Sequence, residues 1–170
     1  MEVSNEILLE AKEKCSNDSF NKTTILSNGT GQYVGNIGEL CFIAGLKGHS
    51  LKYSHVGDKV YDYDFVVEGV TIDIKTKDRN VDASMNYNAH VGASQKNMNC
   101  FLYVFASYNK KKNEIEYLGF ITKKEYWQKC TYYKNGQTDK EGFNHKADCG
   151  VLQYKNLHPI KELTSYIINL

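Results

Sequence analysis

The spacing of apolar residues near the N-terminus predicts two helices. Over residues 4–15, apolar side chains recur at helical intervals, and Ser4 is placed to cap the helix. Residues 31–46 carry apolar stripes on two sides, so this second helix is expected to be largely buried. Glu39 shares one of these stripes, where a carboxylate is costly unless it is paired or bound to a metal.

Further along the chain, alternating apolar and polar positions predict β-strands. The predicted strands cover residues 51–56, 61–67, 70–77, 100–106, 115–121 and 150–154. The run over 100–106 is apolar throughout, which is typical of a central strand buried on both faces. The spacing from Thr122 to Glu125 predicts a capped short helix, and Pro159 opens a closing helix. A long polar loop is expected over 131–148, and no repeat or linker divides the chain.

Composition limits the class of protein. Of the 170 residues, 41% are hydrophobic and 24% are charged, which excludes a disordered or collagen-like chain. The net charge of +1 excludes a basic field over the whole surface, so contact with nucleic acid has to come from local patches. No apolar run approaches ~18 residues and the first residues lack a signal-peptide pattern, so we expect a cytoplasmic protein without a membrane span.

Cysteine and histidine spacing argues against a structural zinc site. The five cysteines are scattered and form no Cys-x-x-Cys pair, so reduced and mostly buried thiols are expected. The five histidines lack zinc-ligand spacing and are expected at the surface or hydrogen-bonded in the core. A Cys–His nucleophile pair stays open, although no local sequence supports one.

A predicted hairpin in the middle of the chain gathers polar residues. If Glu68-Gly69 is a two-residue turn, Val67 pairs with Val70. This register and the two-residue period of strands place four polar side chains on one face. These side chains belong to Asp62, Asp64, Asp73 and Lys75.

The predicted register sets Asp64 opposite Asp73, and Asp62 opposite Lys75. Facing carboxylates repel each other at a Cβ separation of ~5 Å, so an offsetting cation is expected. Mg²⁺ or Mn²⁺ fits, because Mg²⁺ binds one or two carboxylates together with water and phosphate oxygens. A metal ion beside a lysine is suited to hydrolysis of a phosphodiester bond, and Lys75 would then stand at the water that attacks this bond. The structural alternative is a surface ion pair of Asp62 with Lys75, with the other two carboxylates in solvent.

Together these features resemble the PD-(D/E)XK nuclease superfamily, which has the restriction-endonuclease-like fold. Tyr63-Asp64 matches the family's PD element with a tyrosine in the proline position, and Asp73-Ile74-Lys75 matches its D-x-K element. Glu39 on the preceding helix matches the family's helix glutamate. Gln95 resembles a polar residue that several members place near the site.

The resemblance implies a fold class and an activity. It covers roughly residues 31–121 and leaves 122–170 as a C-terminal extension of one domain over 1–170. The implied fold is α/β (α+β), with a central mixed β-sheet flanked by helices. The implied activity is metal-dependent hydrolysis of phosphodiester bonds in DNA with Mg²⁺ or Mn²⁺, and a homodimer is compatible with it.

Each candidate residue then has an expected role. The implied metal ligands are Asp64, Asp73 and Glu39, and the catalytic set adds Lys75. The candidate nucleic-acid contacts are Lys77, Arg79 and Gln95. A second class stays open, namely a catalytically inactive module on the same fold that binds nucleic acid or protein. The near-neutral charge favours this module, whereas the intact Asp64, Asp73 and Lys75 favour the enzyme.

Overall fold

The computed structural model describes residues 1–17, 30–48, 50–56 and 60–170. The α-helices are α1 (Asn5–Asn17), α2 (Thr30–Leu46), α3 (Lys123–Lys129) and α4 (Leu163–Ile168). The strands are β1 (Tyr53–His55), β2 (Phe65–Val67), β3 (Val70–Arg79), β4 (Asn88–Gly92), β5 (Leu102–Asn109), β6 (Glu114–Thr122), β7 (Thr131–Tyr133) and β8 (Cys149–Gln153). Short 3₁₀ helices cover Ala93–Asn97, Tyr154–Asn156 and Ile160–Glu162. Within the described ranges, no helix has the length and apolar character needed to cross a membrane.

Two sheets organise the strands into a mixed α/β fold. The larger sheet has the order β1-β2-β3-β5-β6, and its only parallel pair among these strands is β3 with β5. The smaller sheet has the antiparallel order β4-β8-β7. All eight residues of β5 are buried, which confirms a central strand buried on both faces, although it covers Leu102–Asn109 instead of the predicted 100–106.

Helices cover both faces of the larger sheet. On one face, α2 and α4 pack against the apolar side chains of β3 and β5, including Ile72, Ile74 and Val104. On the other face, Tyr126 of α3 and the smaller sheet pack against Tyr103 and Phe105. The expectation of a central mixed sheet flanked by helices is therefore confirmed.

The predicted turn at Glu68-Gly69 is present. Both residues have positive φ, 47° and 87°, as a two-residue hairpin requires. Val67 pairs with Val70 and Phe65 with Ile72, so the predicted register is confirmed over these residues.

The predicted strand over residues 61–67 is wrong in length, because β2 begins only at Phe65. The Asp64 N–H donates to the Ile72 carbonyl oxygen at 2.9 Å, and Phe65 is also paired with Ile72. Two residues therefore lie opposite one, as in a β-bulge, and the ladder ends there. Asp64 does not face Asp73 within a regular ladder.

The predicted pairing of Asp62 with Lys75 is also wrong. Asp62 lies outside β2, and its Oδ2 accepts from the Asn99 N–H at 3.1 Å and from Asn99 Nδ2 at 2.7 Å. Lys75 instead pairs with Asp73 on its own strand. The bulge is the reason, because it removes the ladder position that would have aligned Asp62.

Helix starts follow the predicted caps. Ser4 Oγ accepts from the Ile7 N–H at 3.3 Å, and Thr122 Oγ1 accepts from the Glu125 N–H at 3.1 Å.

The polar loop predicted over 131–148 is wrong at its start, where β7 pairs with β8. Residues 16–30 are rich in Asn, Ser, Thr and Lys, which predicts a loop, and all but the ends of this stretch lie outside the described residues.

Gly38 sets the distance between α2 and the sheet. A Cβ at this position would overlap Thr76 Oγ1 and would lie 3.0 Å from Thr76 Cβ. The helix therefore approaches β3 as closely as a residue without a side chain allows. This close approach brings the neighbouring Glu39 to the sheet.

Gly38→Ala is expected to lower the free energy of unfolding by about 1–3 kcal/mol, because the added methyl group overpacks this contact. Gly35→Ala is the matched control on the same helix, since a Cβ there meets no atom within 4 Å. The control is expected to gain about 0.5–1 kcal/mol from higher helix propensity. Urea unfolding measures both variants, and equal stability of the two would contradict the close contact.

Candidate active site at the edge of strand β3

The site lies where β3 loses its neighbour. β3 has ten residues, but β2 pairs only with its first three, Val70 to Ile72. Asp64 Oδ2 accepts from the Ile74 N–H at 2.6 Å. The carboxylate thus takes a hydrogen bond that a longer β2 would have made, and this bond fixes Asp64 at the sheet edge.

Asp73 and Lys75 lie on one face of β3, and Ile72 and Ile74 lie on the opposite face. Asp73 is buried, and Lys75 is partly buried. Lys75 Nζ lies 2.6 Å from Asp73 Oδ2. The predicted association of Asp73 with Lys75 is therefore an ion pair along the strand.

Glu39 reaches the same edge from α2. Its Oε2 lies 2.9 Å from His55 Nε2, and the His55 ring stacks on Phe65 with centroids 4.7 Å apart. The partner that the sequence required for this carboxylate is thus a histidine. His55 was expected only at the surface or hydrogen-bonded in the core, although its strand pairs with β2, which directly follows Asp64.

Burial and neighbouring charges act on both ionisable groups at the edge. Burial raises the pKa of Asp64 well above its usual range, and Asp73 and Glu39 raise it further. Burial alone would lower the pKa of Lys75, but Asp73 and Asp64 outweigh it and raise the pKa. Lys75 therefore stays protonated as an ammonium group. The ionised form of Asp64 is disfavoured as long as no cation binds beside it.

The candidate nucleic-acid contacts occupy three different surroundings. Lys77 is exposed on β3. Arg79 Nη2 donates to Tyr154 Oη at 3.3 Å. Gln95 lies in the 3₁₀ helix that precedes β5, and its carbonyl oxygen accepts from Tyr103 Oη at 3.3 Å. The structure thus continues the β3 face with Lys77 and Arg79 and places Gln95 on another element.

The donor set at the edge suits a hard divalent cation. Across the described part of the chain, no three His, Cys, Asp or Glu side chains form a group that could hold a metal ion. Asp64 and Asp73 supply two carboxylates, and Mg²⁺ commonly takes one or two carboxylates and completes its shell with water and substrate oxygens. The residues present therefore fit Mg²⁺ or Mn²⁺ better than a metal that needs an all-protein shell.

A second ionisable cluster lies in the segment before β8. Cys149 Sγ lies 3.3 Å from His145 Nδ1, and His145 Nε2 lies 3.4 Å from Asp139 Oδ2. This is a Cys–His pair of the kind the sequence left open. Cys149 and His145 are buried, and burial raises the pKa of the Cys149 thiol. A buried, protonated thiol is a poor nucleophile, so this cluster stabilises the loop rather than forming a reactive site.

Comparison of the chain with protein-family models, with curated proteins and with solved structures found no match. The candidate site therefore rests on the geometry of the residues themselves.

Asp64→Asn is expected to stabilise the metal-free protein increasingly as pH rises above about 4. The raised folded-state pKa means that the Asp64 proton stabilises the fold, and this stabilisation is lost as pH rises through that pKa. The asparagine carbonyl still accepts from the Ile74 N–H but carries no charge.

Thermal melts in a chelator measure this difference against wild type at each pH. Asp82→Asn is the control, because the Lys112 ammonium lowers the pKa of Asp82, so this carboxyl is ionised in both the folded and the unfolded state above about pH 5. Its melting temperature relative to wild type should therefore stay nearly constant above that pH. A flat difference for Asp64→Asn would contradict the buried carboxylate.

Proposed function

We propose that the protein is a metal-dependent nuclease that hydrolyses phosphodiester bonds in DNA. The observation that carries this proposal is the convergence at one sheet edge of Asp64, Asp73 and Glu39 with Lys75. Asp73 pairs with Lys75 and Glu39 with His55, whereas Asp64 forms no ion pair among the described residues, and burial and its two acidic neighbours disfavour its ionised form. Such an arrangement is unfavourable for folding alone and is typical of a site that binds a cation.

The order of elements supports the resemblance to the PD-(D/E)XK superfamily. Helix α2 precedes the antiparallel strands β1, β2 and β3, and β5 then lies parallel to β3. Asp64 comes from the segment before β2, and Asp73 and Lys75 come from β3. One departure is the connection between β3 and β5, which holds β4 and a 3₁₀ helix instead of a second α-helix.

Asp64 and Asp73 are the proposed ligands of Mg²⁺ or Mn²⁺, and Glu39 supports one ligand or a bound water. A divalent cation at this place supplies Lewis acidity toward the phosphate and lowers the pKa of water. Lys75 donates hydrogen bonds as an ammonium group and stabilises the negative charge that develops on the phosphate oxygens. His55 holds Glu39 by the 2.9 Å contact. Lys77, Arg79 and Gln95 are the proposed contacts to DNA.

A catalytically inactive module that binds nucleic acid or protein is the second candidate. One observation favours it, namely that the described residues contain no group of three metal-ligating side chains. The two candidates differ in whether the wild-type protein binds a metal and cleaves DNA.

Mn²⁺ is expected to raise the melting temperature of the wild-type protein, because the folded state alone presents both carboxylates. Asp73→Asn should remove most of this increase. Asp78→Asn is the control on the same strand, since Asp78 also forms a lysine ion pair at 2.6 Å but lies away from the edge carboxylates. An equal response of wild type and Asp73→Asn would place the metal elsewhere.

Lys75→Ala is expected to lower the rate of metal-dependent plasmid cleavage by about 10²-fold or more. Lys129→Ala is the matched control, because its ammonium group also pairs with a carboxylate, that of Glu125, at 2.5 Å. Full activity is expected for this control. If neither the wild type nor a variant cleaves the plasmid with Mg²⁺ or Mn²⁺, the nuclease proposal is overturned and the binding module is favoured.

A further inference from the structure

The face of β3 that carries Asp73 and Lys75 continues with two further basic residues, of which Lys77 is exposed and Arg79 is half-buried. Residues two apart on a strand share a face at a spacing of about 6.6 Å, so Lys77 and Arg79 lie about 7 and 13 Å beyond Lys75. Lys77 is exposed and has no ion pair among the described residues. The nearby Lys110 and Lys112 are instead neutralised by aspartates.

Arg79 ends this surface against two tyrosines. Its guanidinium carbon lies 4.6 Å from the centroid of the Tyr87 ring and 5.9 Å from that of Tyr154. Nη2 donates to Tyr154 Oη, and the buried Nε has no hydrogen-bond partner among the described atoms. Arg79 therefore fixes the Tyr87 ring at the end of the β3 face.

Tyr87 is both exposed and held in place. The residue is 38% exposed, while its backbone N–H donates to the Ser84 carbonyl and its carbonyl accepts from the Tyr154 N–H, both at 2.9 Å. Two large apolar side chains of the same segment are also exposed, Val81 at 55% and Met85 at 47%. A fixed exposed ring costs little conformational entropy when a planar ligand stacks on it.

We propose that the substrate is DNA with an unpaired segment beside the cleaved bond, whose bases stack on Tyr87 and whose phosphates contact Lys77. Single strands are bound by exposed aromatic rings, on which bases stack, together with cations that contact the phosphates. Tyr87 and Lys77 are one of each. Inside a duplex no base face is free, because each base is stacked on its neighbours on both sides. This inference rests on the proposed nuclease function and names its substrate class.

The test measures binding by fluorescence anisotropy in a chelator, with a labelled single strand, a blunt duplex and a duplex with a single-stranded overhang. Tyr87→Ala is expected to weaken binding of the single strand and the overhang by about 5- to 100-fold. Blunt duplex binding should not change. Tyr87→Phe keeps the ring and should bind as wild type does. The matched control is Tyr132→Ala, which removes a tyrosine that is 47% exposed on β7 and should have no effect.

Lys77→Ala should reduce the salt dependence of single-strand binding by about 0.7 in slope, while Tyr87→Ala should leave that slope unchanged. Thermal melts check that Tyr87→Ala is folded, and Tyr87→Trp, with its larger ring, should bind at least as tightly as wild type. The inference is overturned if Tyr87→Ala binds single strands normally, if it weakens duplex binding equally, or if no DNA binds.

Cleavage of the same three DNAs with Mg²⁺ separates this inference from the proposed function. Cleavage of all three at equal rates would uphold the nuclease and overturn the substrate class. Tyr87-dependent binding of single strands without any cleavage would uphold the single-strand surface and overturn the nuclease.

Discussion

The early end of β2 is the constraint on which the candidate site depends. Because the bulge opposite Ile72 stops the ladder, β3 continues alone on that side, and the Ile74 N–H is left to the Asp64 carboxylate. Asp64 is thereby held beside β3 instead of on the face of a longer hairpin. Glu39 on α2 and Asp73 on β3 both lie close enough to this unpaired edge to raise the pKa of Asp64.

The rest of the fold supplies the stability that this edge lacks. β5 is buried along its whole length and pairs with neighbours on both sides, and α2 packs against β3 through Gly38. These contacts fix the backbone around three carboxylates that repel each other. Functional sites commonly contain interactions that are unfavourable for folding, and the surrounding fold compensates for them. Here the unfavourable interactions are confined to a few side chains.

Local rules predicted much of this arrangement, and tertiary context decided the rest. The turn at Glu68-Gly69 and the cap at Thr122 depend on neighbouring residues alone, so sequence sufficed for both. The bulge at Asp64 depends on where a partner strand stops, and no local pattern encodes that. His55 was missed for a related reason, because its role follows from β1 pairing with β2 and from the helix above them.

The near-neutral net charge is compatible with a nucleic-acid-binding protein, because the lysines differ in whether a carboxylate is paired with them. Lys110 and Lys112 are paired with Asp78 and Asp82, whereas Lys77 forms no ion pair among the described residues. The C-terminal part of the chain also contributes, since β8 pairs with β4 and sets Tyr154 beside Tyr87. Both rings contact Arg79. The end of the β3 face is therefore formed in part by the C-terminal part of the chain, which carries none of the candidate catalytic residues. A local surface of this kind depends on the arrangement of charges and rings, which composition does not reveal.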